Sequence, residues 1–598
     1  GEGKPDFAYN IAYFRHYQLR YMYWRYFMWN FVGRQNSDQG TGIWDKKDGN
    51  WISGIDALDE GRTYKNDLAP AAIMESPGRN TYYFIPLILG MLGMVFHFGK
   101  SRKDFLALLM LFVTTGLGII IYSNQPPIEP RERDYVLVGS FITFCIWIGF
   151  GVLAIADTLT SKIKLPGVAA AGLAGLLGLA SPLLLVTQNY DDHDRSEHYA
   201  SRDYAANFLN SLDKNAIIFT YGDNDTYPLW YVQEVENIRR DVRVVNLSLI
   251  QVDWYIDKLR KKVNESEAIK FTIPQESYNG KNLNQLFFTE QTAEQRLNII
   301  DVLKKIAADV KPANGYPSIS FKNFYIPVKK NAELFDLDSL PVLDSIPVSI
   351  PADSRYLTKD DIAILDLIAS NIDDRPIYFS VTCKNDKLQG LNDFMQLEGM
   401  GLRVIPAYSR SDRSFSIYGS GRVATNKLFN HMMNDWKWGN FDKVKTHVDK
   451  SYLAEIQAMK LTMLRGAYAL LAQKDSTRAA QLANKFFEVF PDFNFPYDAG
   501  VVPFLNVLVG AGDFENAKKH VRILAKETKA YGDFFLSLGA SDLISFAQDV
   551  DLYGQCAADV KDLAKRTGDA AFEKEINDLI GDLDTKLGVL TQGLRQPQ

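Results

Sequence analysis

The sequence predicts a multi-domain α-helical membrane protein: four transmembrane helices, then a periplasmic α/β domain with parallel strands, then an α-helical repeat-like (TPR-like) tail. Three observations predict this. Tyr82 to Thr187 holds four apolar runs, each near the ~20 residues that cross a bilayer core. From Ala216 short apolar strands alternate with helices, and from about Phe441 the pattern is helical to the end. The implied domains are 1–80, an aromatic interfacial helix and outer loop; 81–188, the four transmembrane helices; 189–440, an extracytoplasmic α/β domain with a β-rich insertion; and 441–598, the helical repeat-like domain.

At 598 residues the chain is too long for one domain. A net charge of -6 leaves no basic footprint, so no nucleic acid is expected as a partner. Cys145, Cys383 and Cys556 lie far apart with no metal-ligand spacing, and no metal site is expected. The chain starts Gly-Glu-Gly-Lys-Pro-Asp, with no signal peptide following, and reads as the C-terminal portion of a longer protein.

Tyr9 to Phe31 is crowded with Tyr, Trp and Phe, interleaved with Arg15, Arg20 and Arg25, and has no Gly or Pro. Amphipathic rings and snorkelling arginines suit a helix at the membrane interface; a buried helix with exposed arginines is the plainer alternative. The apolar runs are Tyr82–Phe98, Phe105–Tyr122, Tyr135–Ile155 and Leu165–Thr187. They lack the polar face that a soluble four-helix core would carry. Pro86 interrupts the first, and the Gly/Ala-rich fourth suits close packing in lipid.

Lys100, Arg102 and Lys103 join the first two runs, and Lys162 and Lys164 the last two. The positive-inside rule makes both turns cytoplasmic. Residues 1–80, the Pro126–Asp134 loop and residues 189–598 are then outside.

In the α/β region Ala216–Tyr221, Val242–Ile250 and Pro376–Thr382 read as strands. Pro228–Ile238, Trp254–Lys262 and Lys359–Asn371 read as helices, which gives a βαβ unit whose sheet resumes after an insertion from Phe271 to Pro351. In the tail, YALLAQKDSTRAAQLANKFFEVFP and NVLVGAGDFENAKKHVRILAKE share a helix–turn–helix layout at a tetratricopeptide-like offset.

Three constellations carry candidate chemistry. The loop Glu129–Tyr135 sets Arg131 and Arg133 on a proline-stiffened backbone at the membrane face. Guanidinium forks there suit a phosphate, or the loop is a self-neutralising cap on the helix ends. Asp223, Asn224 and Asp225 follow the first α/β strand, where α/β folds place ligands; they are ligand contacts or helix caps. A calcium loop fails, because Tyr227 and Pro228 stand where a ligand and a glycine are needed. Asp191-Asp192-His193-Asp194-Arg195 reads as a solvated juxtamembrane stretch rather than a metal site. Walker, GxGxxG, HExxH and GxSxG motifs are absent from the sequence.

The phrases YMYWRYFMWNFVGRQN, GNWISGID, QPPIEPRERDY and FTYGDNDTYPLWYVQEVENIRRDVRVVNLSLIQVDWYI resemble a family of large bacterial polytopic membrane proteins of unassigned function. That family is related to the transmembrane protein O-mannosyltransferases of the GT-C glycosyltransferase superfamily. The resemblance runs to about Thr382. It implies sugar transfer, mannose-like, from a polyprenyl-phosphate donor to a protein or peptide acceptor on the outer face, without a divalent metal. It implies partners of three kinds: membrane lipid, the lipid-linked sugar donor and the acceptor. It places the catalytic residues upstream, so this portion is expected to be inactive alone, and it assigns Arg131 and Arg133 to the donor phosphate. The competing reading is a membrane-anchored extracytoplasmic binding or assembly module that uses its α/β and helical-repeat domains.

Overall fold

The computed structural model describes residues 5–65, 67–126, 133–289, 296–309, 318–319, 322–329, 332–335, 337, 340–351, 353–448 and 450–595. They form two compact units. One holds the chain up to Ser196 with Pro496–Val502 and the chain from Lys518 on; the other holds Glu197–Phe495 with Pro503–Ala517.

In the first unit, three helices among the described residues are long and apolar enough to cross a membrane: Arg102–Ser123, Tyr135–Ser161 and Gly167–His193, of 22, 27 and 27 residues. The first apolar run forms a shorter helix, Ile85–Lys100, of 16 residues. At 1.5 Å per residue it rises about 24 Å, against a hydrocarbon core of about 30 Å. Its start is set by the backbone: Tyr83 and Phe84 both adopt left-handed φ angles of 50° and 60°, and Pro86 occupies the first turn.

Glycines set the closest approach in this bundle. A Cβ on Gly93 would collide with the Trp147 carbonyl oxygen, and one on Gly151 with that of Leu89. The Ile85–Lys100 and Tyr135–Ser161 helices therefore touch backbone to backbone, as small residues allow in lipid. The Gly167–His193 helix packs through Ala170, Ala174 and Ser181. Lys100 Nζ lies 3.1 Å from Asp157 Oδ1, which brings the basic turn at Ser101 beside the C-terminal end of Tyr135–Ser161.

The aromatic segment is helical from Phe7 to Phe31, with π-helical geometry over Phe14–Arg25. Its last turns are core: Phe27, Met28 and Phe31 pack with Phe144 and Trp147. Arg15 and Arg20 are exposed, but Arg25 does not snorkel. It is buried, donates to the carbonyls of Tyr21 (3.0 Å), Gln39 (3.1 Å) and Gly49 (3.3 Å), and lies over the Tyr21 and Trp29 rings.

In the stretch 191–195, Asp191, His193 and Arg195 are exposed as expected, but Asp192 departs from its sequence reading. Asp192 is buried, ion-paired with Arg34, and accepts from Asn80 Nδ2 (3.3 Å) and bonds His193 Nδ1 (2.7 Å). Arg34 belongs to a two-residue antiparallel pair, Gly33–Arg34 with Asn80–Thr81, so the carboxylate fastens the end of a membrane helix to the N-terminal loops. Those loops also meet the distal helices: Lys46 Nζ reaches Asp542 at 2.6 Å, Lys47 Nζ reaches Asp549 at 2.6 Å, and the Tyr64 ring meets those of Phe534 and Phe546 edge-on.

The second unit is built on a mixed six-stranded sheet: β1 (Ile217–Thr220), β2 (Arg243–Asn246), β3 (Ile377–Ser380), β4 (Met395–Leu397), β5 (Gly401–Val404) and β6 (Arg422–Val423), in spatial order β6-β4-β5-β3-β1-β2. β1 pairs parallel with both β2 and β3. The expected parallel strands are thus present and adjacent, and β3 joins β1 across the insertion. β5 runs antiparallel to β3, and β4 to β5. β1, β2 and β3 are buried along their whole length, as apolar runs in a parallel sheet should be. The insertion forms two small three-stranded sheets together with Tyr356–Thr358.

The helix after β1 spans Gly222–Glu234, six residues ahead of the predicted start at Pro228. Gly222 takes φ +80°, which turns the chain out of the strand, and Pro228 removes only the amide that would bond Asn224. In the tail, helices Leu453–Ala472 and Ser476–Val489 are joined through Lys474 at φ 64°, and Val502–Ala511 and Phe514–Ser537 through Gly512 at φ +81°. Both predicted helix–turn–helix layouts are helical pairs.

The Gly151→Val variant is expected to wedge the Ile85–Lys100 and Tyr135–Ser161 helices apart, costing about 1–3 kcal/mol as overpacking does. A lower melting temperature in detergent, with Gly149→Val unchanged because no atom lies within 4 Å of a Cβ there, checks it.

Candidate functional site

β1 lies between β2 and β3, so the chain leaves β1 towards one neighbour and later returns to its other side. The crevice outside the C-terminal ends of β1 and β3 is therefore the switch point where open α/β sheets bind ligands. Gly222 to Asp225 follow β1 there, and Thr382 to Lys384 follow β3.

Asp225 is 5% exposed and bridges the two strand ends. It accepts from Ser380 Oγ at 3.0 Å, from Thr382 Oγ1, from Tyr204 OH at 3.3 Å and from the Tyr221 amide at 3.5 Å. Burial nevertheless pushes its pKa up; the hydroxyl bonds pull the other way. A second hydroxyl network supports it. Thr226 Oγ1 donates to the Gly222 carbonyl (2.7 Å), accepts from Asn246 Nδ2 (3.0 Å) and meets Thr220 Oγ1 (2.8 Å), tying β1, β2 and the Gly222–Glu234 helix together.

Glu455, on the Leu453–Ala472 helix, is also buried and accepts from Ser201 Oγ at 3.1 Å. Burial raises its pKa to about 7, and the nearby Asp225 charge adds to the rise. The Tyr204 hydroxyl feels both acids and is pushed well up, chiefly by its own burial. The site thus holds two carboxyls in surroundings that favour their neutral forms.

Asp223 and Asn224 are exposed in the first turn of their helix, at the mouth of the crevice. The Lys384 ammonium lies 5.2 Å from the centre of the Tyr221 ring at the same mouth. Asp225 is engaged by protein donors, so Asp223, Asn224 and Lys384 are the groups a ligand would meet first. Among the described residues no three His, Cys, Asp or Glu side chains group to hold a metal ion.

The phosphate candidates belong to the first unit. Arg131 lies outside the described residues. Arg133 is exposed and lines a small pocket of about 20 Å³ with Met22, Tyr26, Ser123, Val136 and Leu137. The aromatic helix holds the approach to this loop: Tyr13 and Tyr17 donate to the carbonyls of Gln125 (3.3 Å) and Pro126 (3.1 Å), and Gln18 to Asn124 Oδ1 (3.0 Å).

Sequence reasoning placed Asp225 but missed its partners Tyr204, Ser380 and Thr382, and missed Glu455. Ser380 and Thr382 carried a weak signal, as polar alternates at the end of an apolar strand. Glu455 carried a stronger one: it stands four residues before Met459 and eight before Met463, on the buried stripe of its helix.

An α/β unit with a polar switch-point crevice, in a chain that also carries membrane-length helices, defines a membrane protein with an attached α/β domain. Residues 201–427, from within the Ala200–Asn210 helix to just past β6, match the family model described as TMEM260-associated domain 2. The Protein O-mannosyl-transferase TMEM260 of Mus musculus is 28% identical over 93 residues, a stretch that is 15% of this chain and 13% of that protein. No solved structure matches.

Two outcomes follow from the buried acids. Glu455 holds its proton more tightly in the fold than at its ordinary pKa of 4.5, so its contribution to stability falls as pH rises from about 4.5 to about 7, then levels off. Glu455→Gln removes that slope: it melts higher than the parent protein at pH 8 and alike at pH 4, read by thermal unfolding at the two pH values. Asp225→Ala strands buried hydroxyls and lowers stability by about 2–4 kcal/mol in chemical denaturation.

Proposed function

We propose that this chain is the C-terminal portion of a GT-C-type membrane glycosyltransferase, which transfers a mannose-like sugar from a polyprenyl-phosphate donor to a protein acceptor on the extracytoplasmic face. One observation carries the reading: the α/β unit matches the TMEM260-associated domain model, and part of the chain is similar to a Protein O-mannosyl-transferase. The three membrane-length helices agree with it.

In this reading Ile85–Lys100 is a fourth, short span, accommodated by local thinning of the bilayer. Lys100, Arg102, Lys103, Lys162 and Lys164 face the cytoplasm of a bacterial inner membrane, and residues 1–80 and 189–598 lie on the periplasmic side. The acceptor hydroxyl attacks the anomeric carbon as its bond to the phosphate oxygen breaks. Negative charge then collects on the departing polyprenyl phosphate. Arg133, joined by Arg131, neutralises it through charge-assisted hydrogen bonds, while the base that takes the hydroxyl proton lies upstream of these residues.

The helical pairs of the tail favour a second reading, a membrane-anchored binding or assembly module in which the α/β unit and a TPR-like tail dock a partner. One assay separates the two. In the full-length protein, Arg133→Ala and Arg131→Ala are each expected to slow transfer from a polyprenyl-phosphate sugar by roughly 10–100-fold, the loss of one or two contacts of about 1.5–3 kcal/mol. Transfer at the parent rate in both variants would remove the phosphate role; a full-length parent protein without transfer would favour the docking module.

A further inference from the structure

A second recess in the α/β unit lies beyond the end of β2, apart from the Asp225 crevice. It is an open cleft of about 680 Å³, within the range of ligand sites. Three segments line it: the turn at Gln251–Asp253, the segment from Gly280 to Gln285, and Thr358–Asp360 at the start of the Lys359–Asn371 helix.

The cleft is built rather than incidental. Asp253 is fixed by the amides of Gly280 (3.0 Å) and Trp254 (2.7 Å), which hold its pKa low and keep it ionised. Lys359 is only 4% exposed, and its ammonium donates to the carbonyls of Tyr278 (2.9 Å) and Gly280 (2.7 Å). An ammonium has three N–H donors, so one is left without a protein acceptor among the described residues. A buried lysine with a spare donor in the wall of a cleft is costly unless something else accepts that bond.

The charges of the lining decide what that is. Asp253 and Asp360 stand against Lys281 and Lys359, two of each sign among the lining residues, and Lys387, outside the lining, pairs with Asp360 at 2.6 Å. A phosphate would meet two carboxylates, and a cation two ammonium groups. Asn284 and Gln285 add amides that both donate and accept. Val252 is the one apolar side chain among these lining residues, too little for a peptide that must bury side chains. A neutral ligand dense in hydroxyls, each able to donate to a carboxylate and accept from an amine or amide, matches this set. We propose that the cleft binds a neutral saccharide, with Lys359 donating to a ring or hydroxyl oxygen and Asp253 accepting from a hydroxyl. The site calls for no transfer chemistry and does not depend on the donor-phosphate reading.

The test reads binding, not turnover. The purified full chain in detergent is applied to an array of neutral and phosphorylated oligosaccharides, and retained sugars are titrated by saturation-transfer NMR. Saturable binding of a neutral oligosaccharide is expected, at least tenfold tighter than that of its phosphorylated counterpart. Lys281 and Asn284 are exposed, so the Lys281→Ala/Asn284→Ala double variant should keep the parent melting temperature while weakening the sugar at least tenfold. Retention of no neutral sugar, preference for the phosphorylated one, or undiminished binding by the double variant would each overturn the proposal.

Discussion

A carboxylate taken out of water must be met by donors, and that requirement joins the segments of this protein. Four buried aspartates do it. Asp59 gathers the amides of Ser53 and Gly54, each at 2.9 Å, and shapes the N-terminal loop. Asp192 draws Arg34 and Asn80 to the end of a membrane helix. Asp225 links the ends of β1 and β3. Asp366 accepts from the amides of Thr272 (2.6 Å) and Ile273 (3.0 Å) and from Tyr278 OH (3.0 Å), fixing the insertion's first segment to the helix that leads into β3. Asp192, Asp225 and Asp366 sit where chain segments distant in sequence meet, whereas Asp59 closes a local loop, and each would lose its donors if its partner segment left.

The membrane unit solves a different problem, the packing of apolar helices where lipid offers no hydrophobic drive. It does so with glycines at the contact of Ile85–Lys100 and Tyr135–Ser161, and with a cluster of rings from the aromatic helix. Burying that helix has a consequence for the Arg133 region. Tyr13, Tyr17 and Gln18 bond the residues that open the loop, so the position of the proposed phosphate site depends on a helix more than 100 residues away in sequence.

In the α/β unit the parallel trio β2-β1-β3 creates two recesses with different chemistry. The crevice between β1 and β3 is lined by acids in surroundings that favour their neutral forms, and its deepest carboxyl is committed to holding strands. The cleft beyond β2 sets two acids against two lysines, with a spare donor on Lys359. The first resembles a structural joint with a polar mouth; the second has the make-up of a receptor for an uncharged polar ligand.

The sequence by itself determined the segregation of the chain: apolar runs of membrane length, then strands alternating with helices, then helical pairs. These follow from local composition and period, which a single sequence displays. It also marked Asp223 to Asp225 as polar residues directly after β1, because Gly222 signals the turn. Tertiary structure decided what each of them does, turning Asp225 inward to Ser380 and Thr382, some 155 residues away, and leaving Asp223 and Asn224 outside. It likewise decided that Asp192 and Arg25 are buried, that the helix of the first apolar run begins only after Phe84, and that Glu455 stands beside Asp225. The physical reason is the same in each case. Burial and pairing of a polar group depend on which distant segment arrives to supply its donor, and periodicity along one chain carries no record of that meeting.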